Sequence, residues 1–166
     1  NEIDTQLEDG SRLALTQTSH YPSDGQVTLT VRSAPERRYG LRLRVPGWCQ
    51  KAALHVNGVK HSESLEPASF VELSRIWKSG DQIELDMQMP TRLMAAHPLV
   101  EECRGQVAMQ RGPLVYCVES NDLPAGAKVF SISLRADSPW SLQPSGDGMK
   151  EVPILRGELW ADTNHE

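Results

Sequence analysis

Apolar and polar side chains alternate one for one along much of the chain. Val27, Leu29 and Val31 are interleaved with Thr28 and Thr30, Leu41, Leu43 and Val45 with Arg42 and Arg44, and Ile83, Leu85 and Met87 with Glu84 and Asp86. In an extended chain successive side chains point to opposite faces, so each run buries one face and wets the other. A period of 3.6 residues is nearly absent. Between Leu54-His55-Val56 and Val59 stands Asn57-Gly58, which predicts a two-residue type I′ hairpin turn. Further corners are predicted at Asp9-Gly10, Ser23-Asp24-Gly25, Ser79-Gly80-Asp81 and Gly146-Asp147-Gly148. Short strands separated by such signals read as all-β: antiparallel sheets in a β-sandwich or jelly-roll-like arrangement, as one sandwich or two small packed ones, with little helix.

The stretch Pro90 to Pro98 (PTRLMAAHP) is the one place where a helical turn is expected, serving as a crossover. A division near residue 97 follows, with a first sandwich portion over 1–97 and a second strand-rich portion over 98–166 that packs on or completes the sandwich. Strands are expected at Val107 to Met109, Leu114 to Val118, Val129 to Leu134 and Val152 to Leu155, and a surface loop at Asp137 to Lys150. In RGQVAMQRGPLVYC, residues 104 to 117, Arg104-Gly105 reads as a corner, Val107 and Met109 as core residues, and Arg111-Gly112-Pro113 as a bend.

Composition narrows the choice of partners. A chain of 166 residues can bury roughly 68 to 70% of its unfolded surface and so build a core without staples. Its formal net charge of −5 argues against nucleic acid, and Arg37, Arg38, Arg42 and Arg44 read as a solvated strand face rather than a phosphate track. No apolar run approaches the ~20 residues of a membrane-spanning helix. The first residues, Asn1-Glu2-Ile3-Asp4, have no signal-like core, and together with the absence of an initial Met they suggest a piece of a longer, cytoplasmic protein. Cys49, Cys103 and Cys117 are odd in number, lie in apolar settings and lack C-x-x-C spacing, which fits free thiols in a reducing compartment.

Candidate chemistry is sparse. Glu101-Glu102 offers two carboxyls, as glycosidases require, but neighbours in an extended chain diverge and cannot share one bond. His20, His55, His61, His97 and His165 show no metal-ligand spacing, and neither a G-x-S-x-G elbow nor a glycine-rich phosphate loop occurs. No catalytic, cofactor-binding or metal residue is therefore assigned. Trp48, after Pro46-Gly47, and Trp77, before Gly80, are candidate sugar platforms, with a core-capping role competing for both.

The motifs LRLRVPGW (Leu41 to Trp48), Val56-Asn57-Gly58, RIWKSGD (Arg75 to Asp81), Met89-Pro90, Ala96-His97-Pro98 and RGPLVYC carry a resemblance. In their order and spacing the chain resembles the C-terminal part of the β-L-arabinofuranosidase family, glycoside hydrolase family 127. The resemblance implies a catalytic (α/α)6 barrel upstream, with a zinc held by cysteines and a glutamate, a cysteine nucleophile and a glutamate acid/base. None of those motifs matches here, so zinc is expected only in the missing barrel. What the resemblance implies for this chain is a non-catalytic accessory region that buttresses the barrel of the same polypeptide and shapes a wall of its pocket. Arg104 and Arg111 are the candidate interface residues. The rival expectation is an independent carbohydrate-binding module acting through Trp48 or Trp77. Sugar specificity, oligomeric state and the face that meets the barrel stay open.

Overall fold

The computed structural model describes residues 1–61, 65–145 and 152–161, and the chain divides into two compact units, Asn1–Met89 and Pro90–Glu166. The first unit contains β1 (Glu2–Gln6), β2 (Arg12–Ser19), β3 (Gln26–Ser33), β4 (Arg38–Val45), β5 (Ala52–Val56), β6 (Val59–Lys60), β7 (Ser69–Ile76) and β8 (Gln82–Met87). Six of them form one sheet in the order β1-β2-β3-β8-β5-β6, while β4 and β7 pair with each other, every pairing being antiparallel.

Alternation decides which side chains meet between these layers. Leu15, Val31, Leu54, Ile83 and Leu85 face inward from the larger sheet and Val45, Val71 and Leu73 from the smaller, forming one core cluster. Val31 and Val45 are fully enclosed, and burying a side chain of that size contributes roughly 1.5–3 kcal/mol. The intervening threonines, arginines and acids stay outside, as the period-two pattern predicts. At the hairpin, Asn57 and Gly58 have φ of 53° and 75°, the paired left-handed conformations of a type I′ turn. Gly25 is required for a different reason, since a Cβ there would lie 1.9 Å from the carbonyl oxygen of Met87.

The second unit contains β9 (Thr91–Ala95), β10 (Val107–Arg111), β11 (Leu114–Tyr116), β12 (Ile132–Ser133), β13 (Ser141–Gln143), β14 (Ile154–Arg156) and β15 (Trp160–Ala161), with three single 3-10 turns. Its sheets are small: β11-β10-β9, and the pairs β12-β15 and β13-β14. The expected helical turn between Pro90 and Pro98 is a strand instead. Thr91 to Ala95 pair residue for residue with Arg111 to Val107, so tertiary hydrogen bonding overrides the local preference, and this segment opens the second unit rather than closing the first.

Other expectations shift in the same unit. Val129 to Ser131 form a 3-10 turn before the short strand β12, and the expected loop from Asp137 contains β13, while 146–151 lie outside the described residues. The strand β14 begins at Ile154, and the strand expected through Val118 ends at Tyr116. Met109 is buried as expected, but Val107 on the same face is 46% exposed. It pairs with exposed Ala95 at the end of the ribbon.

Candidate functional site

Trp77 follows β7 and is 3% exposed, with its indole Nε1 donating to the Tyr39 carbonyl at 2.9 Å. The guanidinium of Arg75 lies 5.3 Å from the centre of its ring. This tryptophan is a core side chain with its polar atom satisfied, and no open ring face is left for a sugar. Trp48, by contrast, is half-buried against the core cluster and stacks on Tyr21, ring centres 6.4 Å apart and planes 21° from parallel. Tyr21 comes from the corner between β2 and β3, and sequence reading did not single it out. The adjoining Ser23-Asp24-Gly25 corner was visible, but nothing in it specified a neighbour so distant in the chain.

Behind the hairpin turn the polar groups form a closed set. Asn57 donates from Nδ2 to Asp81 Oδ1 at 2.9 Å and accepts at Oδ1 from the Gln82 amide at 2.8 Å, while the Lys78 amide donates to Asp81 Oδ2 at 2.9 Å. The Lys78 amide, the Asn57 side chain and the nearby Arg75 and Lys78 charges hold the Asp81 carboxyl below its ordinary pKa, against the opposing effect of burial. The two corners Asn57-Gly58 and Ser79-Gly80 are thereby tied together. This network is architectural, because each of its named atoms is used within the fold. Asp9, likewise held well below the ordinary value by the Ser11 hydroxyl and Arg37, anchors the start of β4 to the β1–β2 turn.

In the second unit Arg104 follows the 3-10 turn Glu101–Cys103 and is exposed, and Gly105 with φ of 75° makes the predicted corner. The turn also alters the reading of Glu101 and Glu102: they lie on a curved rather than an extended backbone, and both carboxyls face solvent. Arg111 and Tyr116 share one face of the β10–β11 hairpin; burial raises the Tyr116 pKa and the nearby guanidinium opposes that rise. Gly112, with φ of 56°, occupies the first position of the two-residue connection and Pro113 the second, as a type II′ turn demands.

The three cysteines are not joined in a disulfide, and their settings differ from the uniformly apolar ones expected. Cys49 is buried and its thiol donates to the Lys51 carbonyl at 3.2 Å, Cys103 is half-buried, and Cys117 is exposed because β11 ends just before it. Among the described residues no three His, Cys, Asp or Glu side chains converge, so the residues present do not fit a zinc site. No helix in the described residues is long and apolar enough to cross a membrane.

Two surface features remain. In the first unit an open groove of about 660 Å³ runs beside β7, lined by Val56, Val59, Lys60, Leu73 and Arg75 among others. In the second unit apolar side chains stand in solvent: Phe130 is 100% exposed, Leu99 84% and Val115 67%, and Met109 is the one buried hydrophobic side chain among its described residues.

Comparison with known proteins accounts for both units. Residues 1–89 match the family described as "Beta-L-arabinofuranosidase, GH127 middle domain" and residues 91–156 the "Glycoside hydrolase family 127 C-terminal domain". The non-reducing end β-L-arabinofuranosidase of Bifidobacterium longum subsp. longum is 40% identical over 120 residues, which are 69% of this chain and 18% of that protein. Among solved structures, one titled a glycoside hydrolase superposes with a TM-score of 0.91 at 38% identity, covering 99% of this chain and 27% of that one. A β-L-arabinofuranosidase of the family from Geobacillus stearothermophilus T6 gives 0.83 at 33% identity, covering 94% and 24%. The chain thus spans about a fifth to a quarter of the relatives it matches. With its two units matching two successive domains of one family, the chain belongs to glycoside hydrolase family 127.

Proposed function

We propose that this chain is the non-catalytic β region of a longer β-L-arabinofuranosidase-like glycoside hydrolase, and that its second unit docks on the catalytic part of the same polypeptide. The observation that carries this reading is the inversion of exposure in that unit. Phe130, Leu99 and Val115 face water, and apolar side chains gathered on one unit in this way mark a contact surface. In this reading hydrolysis, and the zinc that the family resemblance implies, belong to the (α/α)6 barrel of the remaining polypeptide. The chain's own contribution is to support that barrel and to shape a wall of its pocket, with Arg104 available to pair with acids at the contact rim. In this reading the protein works in the cytoplasm, where an exposed thiol such as that of Cys117 stays reduced.

The test compares the full parent polypeptide with its Leu99→Asp, Phe130→Asp variant. The parent is expected to hydrolyse an aryl β-L-arabinofuranoside, and the variant to lose melting temperature and activity together, while the 166-residue chain alone turns over no substrate and tolerates the same changes. Equal stability of parent and variant counts against docking through these side chains.

A second reading is favoured by the partly exposed Tyr21–Trp48 stack: an aromatic platform for a sugar ring. Titrating the chain with arabinose oligosaccharides while following indole fluorescence separates the two. A saturable change abolished by Tyr21→Ala supports the platform, and a flat titration removes it.

A further inference from the structure

The two layers of the first unit do not match in width. Six strands form one sheet, but among the described strands of this unit only β4 and β7 lie over its inner face. Among the described residues, β4 and β7 therefore each keep one edge without a strand partner. Arg37, just before β4, pairs with Asp9 in the β1–β2 turn, which puts β4 toward the β1 side and leaves β7 toward β6. The register locates the uncovered positions. Val59 pairs with Val56, and Val56 with buried Ile83, so all three share the inner face, yet Val59 is 71% exposed.

The groove beside β7 lies over this gap. It borders β7 from Glu72 to Arg75, with Val56 and Val59 among its lining residues. The four residues of β7 that it borders correspond to roughly 13 Å of extended chain at ~3.3 Å per residue. An open backbone edge next to an apolar floor has the two components of strand addition: main-chain hydrogen bonds for affinity and alternate side chains inserted below.

We infer that an extended segment of the parent polypeptide N-terminal to Asn1 adds to the free edge of β7 and covers Val56 and Val59, widening the smaller sheet of the sandwich by one strand. The choice of occupant rests on the reading of this chain as part of a longer hydrolase. The first unit matches a middle domain, and the solved relatives are about four times as long as the chain, so polypeptide is available ahead of it. An intramolecular strand also has a concentration advantage over any separate partner. The segment carries apolar side chains at alternate positions, and a carboxylate in it would meet Lys60 at the groove wall.

Hydrogen exchange on the full parent, its Val59→Glu variant and the 166-residue chain tests this. Peptides covering Ser69–Ile76 are expected to exchange at least roughly tenfold more slowly in the parent than in the chain, and Val59→Glu in the parent is expected to return them to the fast rate. That within-parent comparison holds even if the chain folds poorly alone. Fast exchange at β7 in the parent, with the segments around Leu99 and Phe130 protected, overturns strand addition and leaves the docking reading standing. Loss of protection at all of these places overturns both. Protection of β7 in the 166-residue chain that grows with its concentration assigns the edge to a second copy and overturns the inference.

Discussion

Trp77 illustrates how a single side chain can carry two kinds of stabilisation. Its ring fills the core while its N–H satisfies the Tyr39 carbonyl. Trp77→Ala is expected to cost about 3–5 kcal/mol, and Trp77→Phe about 1–3 kcal/mol, because the carbonyl is left without its donor. Urea unfolding of the two variants checks the order, and equal losses would mean that the packing of the ring contributes nothing beyond the hydrogen bond. Asp81 gives a pH dependence of fixed sign. Its folded pKa is depressed, so the unfolded chain binds more protons below the ordinary carboxylate value; the stabilisation is complete above that value, ~3.9, and is lost as pH falls through the lowered folded pKa. The stability difference between the protein and Asp81→Asn should therefore shrink as the pH is taken below about 4, and a difference that grows on acidification would contradict the assignment. Residue identity in the sequence located these groups but not their partners: the bonds from Trp77 to Tyr39 and from Asp81 to Asn57 span dozens of positions that no local pattern encodes.

At the scale of elements, alternation and turn chemistry were sufficient where one face was buried. The strands around Leu29, Leu43 and Leu85, and the Asn57-Gly58 hairpin, were legible because inward side chains and left-handed turn residues recur at fixed spacing. They failed where no face was well buried. β9 and β13 lack a clean alternation, since partner strands hold them by backbone pairing, and their side chains give little sign of a face. The corner before β3 shows the tightest constraint. Gly25 donates no side chain, so its backbone can approach Met87, whose amide bonds the Gly25 carbonyl at 3.0 Å. Gly25→Ala should destabilise by about 1–3 kcal/mol or more, since the clash is with backbone rather than a movable side chain. A thermal melt unchanged by this substitution would show that the β2–β3 corner can shift away.

Across the whole molecule the apolar side chains are unevenly used. Thirteen of the fourteen buried hydrophobic residues precede Pro90, and Met109 is the remaining one among the described residues. The sequence announced strands in both halves, but strand propensity does not reveal whether a layer has something to cover it. Family resemblance supplied the larger setting that the patterning lacked. Because cooperativity follows shared burial, the 166-residue chain should unfold in two steps, the second unit first and the first unit at higher denaturant. Coincident transitions for β10 and β3 amides in denaturant-dependent hydrogen exchange would contradict this.

The fit between Trp140 and Gly157 gives such an experiment its own optical probe. A Cβ on Gly157 would lie 2.4 Å from the indole, so the ring rests directly on main chain within the second unit, whereas Trp77 is enclosed in the first. Emission lost through the double change Trp140→Phe, Trp160→Phe thus reports the second unit, and what remains, from Trp48 and Trp77, reports the first without attaching a dye.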